Sequence, residues 1–61
     1  MITVKCIYEL TEKGRDGRTY EFRRGEYYRM TLAGCYVLEI ERTQVIVKKR
    51  SKFYKHFMIV C

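Results

Sequence analysis

The stretch from residue 35 to residue 48, CYVLEIERTQVIVK, decides the fold class of this chain. Its apolar side chains recur at every second position, most clearly at Tyr36, Leu38 and Ile40. A period of two is typical of a strand with one buried face. The alternation stops at Arg42-Thr43 and resumes over 44–48. The stretch therefore predicts a β-hairpin with a tight turn at Arg42-Thr43, although neither residue is a glycine.

The same period of two recurs along the rest of the chain. It predicts further strands over residues 2–10, 18–22, 27–32 and 57–61. Asp16-Gly17 and Gly25 tolerate positive φ and predict turns between these strands. Ser51 predicts the cap of one helical turn that runs to Lys55. The fold class that follows is a small all-β domain of five or six strands; the alternative is an open antiparallel meander that dimerises to cover its sheet.

Residues 20–28, YEFRRGEYY, carry a resemblance to a known family. They resemble the aromatic-x-apolar-x-x-Gly-acid stretch of Src-homology-3-like barrels, which enters a diverging turn. A polar loop precedes them, and a strand, a hairpin, a helical turn near Phe53 and a last strand follow. The resemblance implies one Src-homology-3-like barrel over residues 1–61. The chain has no tryptophan and no proline, which the peptide-binding branch of the family uses in its groove.

The layout also resembles small barrels encoded by bacteria, bacteriophages and mobile elements. That resemblance implies a phage or mobile-element protein that inhibits a host process. The length of 61 residues allows one domain, and 48% apolar with 33% charged residues is a globular composition. No apolar run reaches the roughly 20 residues of a membrane span, so no membrane association is expected. The sequence predicts a cytoplasmic protein.

The alternation also predicts which side chains form the core. The predicted core residues are Tyr20, Phe22, Met30, Leu38, Ile40, Val45 and Val47. Cys6 and Cys35 lie in alternating stretches and are expected to be reduced, inaccessible thiols. Cys6, Cys35, Cys61 and His56 have the donor types of a zinc site, but structural zinc ligands usually come in close pairs and these do not. No metal or cofactor is therefore predicted.

No arrangement of residues in the sequence indicates catalysis. A nucleophilic cysteine would need His56 beside it, and nothing in the spacing places it there. His56 follows a basic stretch and is expected on the surface. Glu39 and Glu41 are two residues apart, which is the spacing of the solvent face of a strand. The sequence therefore predicts a protein that is not an enzyme.

The net charge is concentrated near the end of the chain. Residues 1–41 carry as many acidic as basic side chains, so the whole net charge of +6 falls in residues 42–61. We call residues 48–55 the basic segment; it contains Lys48, Lys49, Arg50, Lys52 and Lys55 together with Phe53 and Tyr54. Such clusters attract phosphate groups or acidic protein surfaces. The alternative without a binding role is a solvated loop in which Phe53 closes one end of the domain.

Further candidates lie in the loops that the resemblance places near the same rim. The predicted binding residues are Lys48, Lys49, Arg50, Lys52, Tyr54, Lys55, Arg15, Arg18, Arg23, Arg24 and Tyr27. The predicted function is a non-enzymatic binding module whose basic segment engages an acidic protein partner. One alternative is a nucleic-acid-binding domain that uses the same segment, with Tyr54 stacking on a base. Another is a structural accessory subunit, and a homodimer is compatible with all three.

Overall fold

The computed structural model describes residues 1–61 and contains seven strands and one helix. The strands are β1 (Ile2–Cys6), β2 (Leu10–Lys13), β3 (Thr19–Phe22), β4 (Tyr27–Leu32), β5 (Tyr36–Ile40), β6 (Thr43–Val47) and β7 (Phe57–Ile59), and the helix α1 (Arg50–His56) precedes β7. One sheet has the order β6-β5-β4-β1-β7, and β2 pairs with β3 in a second sheet. All pairings are antiparallel.

The prediction of an all-β domain is confirmed. The strands form two separate sheets and do not close into a barrel. The closed Src-homology-3-like barrel expected from the resemblance is not what the strands form. One backbone hydrogen bond links the two sheets at their edges, from the Arg15 N–H to the Gln44 carbonyl oxygen at 2.9 Å.

The first predicted strand, over residues 2–10, is two strands in the structure. β1 ends at Cys6 and β2 begins at Leu10, so the fold contains seven strands, one more than the upper prediction of six. Ile7 interrupts the alternation of the sequence, and its side chain is exposed. The backbone N–H groups of Ile7 and Tyr8 donate to the His56 carbonyl oxygen, at 2.8 and 3.4 Å. The bond from Ile7 extends the register of β1 and β7 by one position, and the chain leaves the sheet after it.

The hairpin of β5 and β6 turns one residue earlier than predicted. Ile40 pairs with Thr43, so the two-residue turn is Glu41-Arg42. Both residues have positive φ, 48° and 75°. Two-residue hairpins favour turns with positive φ because this geometry matches the twist of the strands. Glu41 and Arg42 adopt the left-handed region without the glycine or asparagine that usually relieves it.

The turn before β4 has the form that the sequence predicts at Gly25. The Glu26 N–H donates to the Arg23 carbonyl oxygen at 3.1 Å, and Gly25 has a φ of 91°. The Gly25 N–H donates to the carbonyl oxygen of Cys6 at 2.7 Å. Gly25 therefore allows the turn and also fixes it against the end of β1.

One hydrophobic core lies between the five-stranded sheet, the β2–β3 hairpin and α1. It consists of Val4, Cys6, Leu10, Phe22, Met30, Leu38, Val45, Val47, Phe53 and Phe57. Phe57 joins its parts, because its ring centroid lies 5.3 Å from that of Phe22 and 5.5 Å from that of Phe53. Five of the seven predicted core residues are buried, and Tyr20 and Ile40 are only half-buried.

Both exceptions have a local cause. Ile40 is the last residue of β5 before the turn, where the sheet no longer covers it fully. Tyr20 directs its hydroxyl group to the exposed carboxylate of Asp16. A position on the apolar side of a strand therefore ensures burial only in the middle of the sheet.

The cysteines and the histidine differ in part from the predictions. Cys6 is fully buried as expected, but Cys35 is half-buried because it lies in the loop before β5. Cys61 is exposed. The prediction that His56 is a surface residue is wrong, since its side chain is only 9% exposed. His56 ends α1, directly before the buried Phe57.

Candidate functional site

The basic segment forms most of α1, and the helix places its charges on the outside. Phe53 and His56, three residues apart, face the core, while Arg50, Tyr54 and Lys55 are exposed. The predicted cap at Ser51 is wrong, because the N-cap is Lys49 and no side chain caps the helix. The first turn contains no acidic residue. Burial of Phe53 therefore holds this short helix in place, and the cations remain in solvent.

Lys52 differs from the other cations of the segment. Its Nζ lies 2.6 Å from Oε2 of Glu12 on β2, and both side chains are partly buried. The protein contains one other ion pair, between Arg23 and Glu21 at 3.2 Å. Lys52 therefore attaches the helix to the β2–β3 hairpin. The remaining four cations, Lys48, Lys49, Arg50 and Lys55, have no carboxylate partner.

Two tyrosines lie among these unpaired cations. Tyr54 is 43% exposed, and Cζ of Arg50 lies 5.6 Å from its ring centroid. Tyr8 is 55% exposed, and Nζ of Lys55 lies 5.6 Å from its ring centroid. Cation–π attraction of this kind holds the cations beside the rings. We define the cationic patch as Tyr8, Lys48, Lys49, Arg50, Tyr54 and Lys55.

The sequence prediction did not include Tyr8. Its ring stacks on the buried His56 imidazole, with centroids 5.3 Å apart and planes at 10°. This contact brings the loop after β1 to the end of α1. The break in alternation at Ile7 was the signal that the chain leaves the sheet here. Nothing in the sequence indicated that the loop meets the helix.

The predicted binding residues of the loops, Arg15, Arg18, Arg23 and Arg24, form a second basic group. Arg15, at the tip of the β2–β3 loop, does not join the cationic patch. Nη1 of Arg15 donates to Oε1 of Gln44 at 3.0 Å, and the backbones of the two residues are also bonded. Gln44 lies near the start of β6, whereas α1 follows the end of that strand. The tip of the β2–β3 loop and α1 therefore lie near opposite ends of β6, and a strand rises about 3.3 Å per residue. The contact between this hairpin and α1 lies outside the loop, where Glu12 of β2 meets Lys52.

The remaining arginines of that group lie on exposed turns. Arg23 is held by Glu21, and Arg24 is exposed without an ion-pair partner. Arg18 is exposed, and its backbone N–H donates to Oδ1 of Asp16 at 3.0 Å. The structure therefore shows separate solvent-exposed cations at these positions.

The predicted Tyr27 lies on a groove on the outer side of the five-stranded sheet. Tyr27 is 59% exposed, and Nζ of Lys5 lies 5.8 Å from its ring centroid. The groove has a volume of about 1020 Å³. Its charged lining consists of Arg15, Arg29, Arg42, Asp16, Glu39 and Glu41. Because three of these side chains are basic and three are acidic, the lining has no net charge that would attract an anion.

The perturbed titratable groups do not form a catalytic arrangement. The hydrogen bond from the Tyr20 hydroxyl lowers the pKa of Asp16 and raises the pKa of Tyr20. Both groups lie at the hairpin tip, where the bond orders the loop. Burial raises the pKa of the Cys6 thiol and that of the Tyr28 hydroxyl. No group of three or more His, Cys, Asp and Glu side chains is placed to hold a metal ion.

Comparison with known proteins adds no identification. No family model, no curated protein and no solved structure matches the chain. The fold contains no helix with the length and apolar character that a membrane crossing requires.

Proposed function

We propose that this protein is a non-enzymatic binding module that engages an acidic protein surface through its cationic patch. One observation carries the proposal: four exposed cations of a single short segment have no carboxylate partner in the folded chain. Exposed charges of one sign, held close together, raise the local concentration of oppositely charged partners. An acidic partner supplies the counter-charges that the chain itself lacks.

The contacts of the two tyrosines favour a protein partner over a nucleic acid. A base-stacking platform needs an open aromatic face. Tyr8 has the His56 imidazole stacked on it and Lys55 beside it. Tyr54 has Arg50 over its ring and meets the ring of Tyr36 at 78°, with centroids 6.0 Å apart. The rings thus position cations, and ammonium, guanidinium and phenol donors together suit carboxylates.

The resemblance to small phage-encoded barrels gives this module a biological setting. In that setting, the module acts on an acidic surface of a host protein and inhibits a host process. Inhibition of this type needs an interface and no reacting groups. The cationic patch supplies such an interface on a chain of 61 residues.

The test compares two double variants of equal net charge. Lys48→Glu with Lys49→Glu reverses two charges of the cationic patch, and Lys13→Glu with Arg42→Glu reverses two exposed charges elsewhere. The patch variant should keep its fold, because acidic residues near the start of a helix are favourable. Lys52 is left unchanged because its reversal would place a second carboxylate beside Glu12.

Fluorescence anisotropy with a labelled poly-glutamate peptide and a single-stranded DNA of equal charge provides the readout. We expect tighter binding of the peptide, and a loss of at least tenfold in the patch variant but not in the control. Rising salt should weaken binding, mainly through the association rate. Equal losses in both variants, or preference for DNA, would contradict the proposal.

A further inference from the structure

The two edges of the five-stranded sheet are protected to different degrees. Edge strands in natural proteins are usually blunted by charges, prolines or covering segments. At the β6 edge, the Arg15 N–H donates to the Gln44 carbonyl oxygen, and Lys48 and Lys49 follow the strand. At the β7 edge, residues 57–61 read FMIVC and contain neither a charge nor a proline.

The backbone of β7 has a free hydrogen-bonding position at Ile59. Val60 donates to the Thr3 carbonyl oxygen at 2.9 Å, and the His56 carbonyl oxygen accepts from Ile7. Residues that bond to a neighbour alternate along an antiparallel strand, so 56, 58 and 60 face β1. The N–H and C=O of Ile59 consequently face away from the sheet. Neither group takes part in a backbone hydrogen bond outside the ladders.

The side chains around this position are apolar and accessible. Met58, Ile59 and Val60 are 48%, 44% and 48% exposed. They form one continuous apolar stretch on both faces of an edge strand. The edge is short, since β7 has three residues. An apolar edge with unpaired backbone groups is nevertheless a template for the addition of another strand.

We propose that the β7 edge is the interface of a homodimer, in which β7 of a second copy pairs antiparallel with β7. A two-fold axis at Ile59 places it opposite the partner's Ile59. Each Met58 then lies opposite the partner's Val60. The two sheets join into one sheet of ten strands, and the free N–H and C=O of Ile59 bond to those of the partner.

The composition of the edge favours a second copy as the occupant. The added strand must be uncharged and apolar on both faces to match residues 57–61. The chain itself contains one strand of this kind at a free edge, which is β7. Antiparallel pairing about a two-fold axis makes the sequence complementary to itself. The net charge of +6 opposes association, so added salt should strengthen the dimer.

Two proline variants test the proposal. Ile59→Pro removes the outward N–H and leaves the bonds to β1 in place, since these come from residues 56, 58, 60 and 61. Ile46→Pro is the matched control on the other edge. The backbone groups of Gln44 face outward, since its carbonyl oxygen accepts from Arg15. Outward positions alternate along the strand, so the backbone groups of Ile46 also face outward. Circular dichroism reports whether each variant is folded.

Sedimentation velocity in reducing buffer, up to about 1 mM protein, measures association in the range of weak interfaces. We expect the wild type and Ile46→Pro to dimerise, more strongly at higher salt, and Ile59→Pro to remain monomeric. A monomeric wild type, or a dimer that Ile59→Pro retains, would overturn the proposal. Binding of a foreign peptide at this edge without self-association would also overturn it.

Hydrogen exchange of the Ile59 amide in the wild type gives a readout that does not depend on any variant. Its exchange should slow as the protein concentration rises, while the Ile46 amide should be unaffected. Exchange of Ile59 that does not depend on concentration would contradict the proposal. The proposed binding of acidic proteins weakens with salt, so the two proposals can fail separately.

Discussion

His56 and Tyr8 contact each other both by ring stacking and by hydrogen bonds to the backbone. Nδ1 of His56 lies 2.9 Å from the Tyr8 carbonyl oxygen, and the two rings are stacked. Because a carbonyl oxygen only accepts, Nδ1 carries the hydrogen and donates. The Tyr8 N–H in turn donates to the carbonyl oxygen of His56. The last residue of α1 is thereby joined to the loop that follows β1.

Replacement of His56 by alanine should therefore destabilise the fold. It removes one of the two side-chain donors to the Tyr8 carbonyl oxygen, since the Cys6 thiol also donates to it. The lost hydrogen bond costs about 1 kcal/mol, in addition to the lost packing. His56→Phe keeps the ring stacking and should lose less. Urea unfolding measures the difference, with the exposed Lys55→Ala as control. A His56→Ala variant as stable as the wild type would show that the contact contributes nothing to stability.

Leu38→Ala tests the register of the central hairpin. Leu38 is fully buried and pairs with Met30 on one side and Val45 on the other. Its truncation should cost about 2–5 kcal/mol, enough to unfold a domain of this size. Thermal melting provides the measurement. Ile46→Ala, on an exposed side chain, should change stability little, and an unchanged melting point for Leu38→Ala would contradict the packing described.

The Glu41-Arg42 turn offers a stabilising substitution. Both residues have positive φ, which asparagine and glycine adopt with less strain. Glu41→Asn with Arg42→Gly should increase the free energy of unfolding by about 1 kcal/mol. Gly17→Ala, at a φ of 85°, should have the opposite effect. Chemical denaturation that finds the double variant less stable would exclude strain in this turn.

Alkaline pH should destabilise the protein partly through Cys6. Burial raises the pKa of this thiol above its ordinary value of 9.0, so the fold favours the neutral form. The stabilisation that comes from the neutral thiol is fully present below the pKa of Cys6 in the unfolded chain. It is lost as the pH rises through the pKa of the folded state.

Cys6→Ala isolates this contribution. The variant should be less stable at neutral pH, because it loses a core side chain, but its stability should fall less steeply above the pKa of a free thiol. Cys61→Ala, at an exposed thiol, serves as control and should follow the wild type. Urea unfolding across the alkaline range measures both, and parallel curves for Cys6→Ala and the wild type would contradict the assignment.

Alternation was sufficient to predict most of the sheet, since burial of one face imposes a period of two. It located the hairpin of β5 and β6 and the buried side chains at its centre, such as Leu38 and Val45. It failed at strand ends, where backbone hydrogen bonds set the limits. Ile7 continues the apolar stretch, but β1 ends at Cys6 because the strand opposite it, β7, begins only at Phe57.

The basic segment was visible in the sequence because charge density does not depend on the fold. Its partners were not visible, since they lie far away along the chain. Lys52 pairs with Glu12, which is 40 residues distant, and His56 reaches Tyr8 over 48 residues. These contacts exist only once the sheet is formed. The contact with Glu12 distinguishes Lys52 from the unpaired cations of the segment. The sequence alone does not show this difference, because all of them are lysine or arginine.

The pairing of β1 with β7 has a consequence for how the chain folds. Val4 pairs with Ile59, so this ladder closes a loop that contains almost the whole chain. Closing such a loop costs entropy before its contacts form, and topologies of this kind fold slowly. During synthesis β1 can pair with β4 as soon as β4 has emerged, but its other edge stays unpaired until β7 follows. The helix α1 also lacks Phe57 to pack against until then. The cationic patch is therefore assembled in one of the last steps of folding.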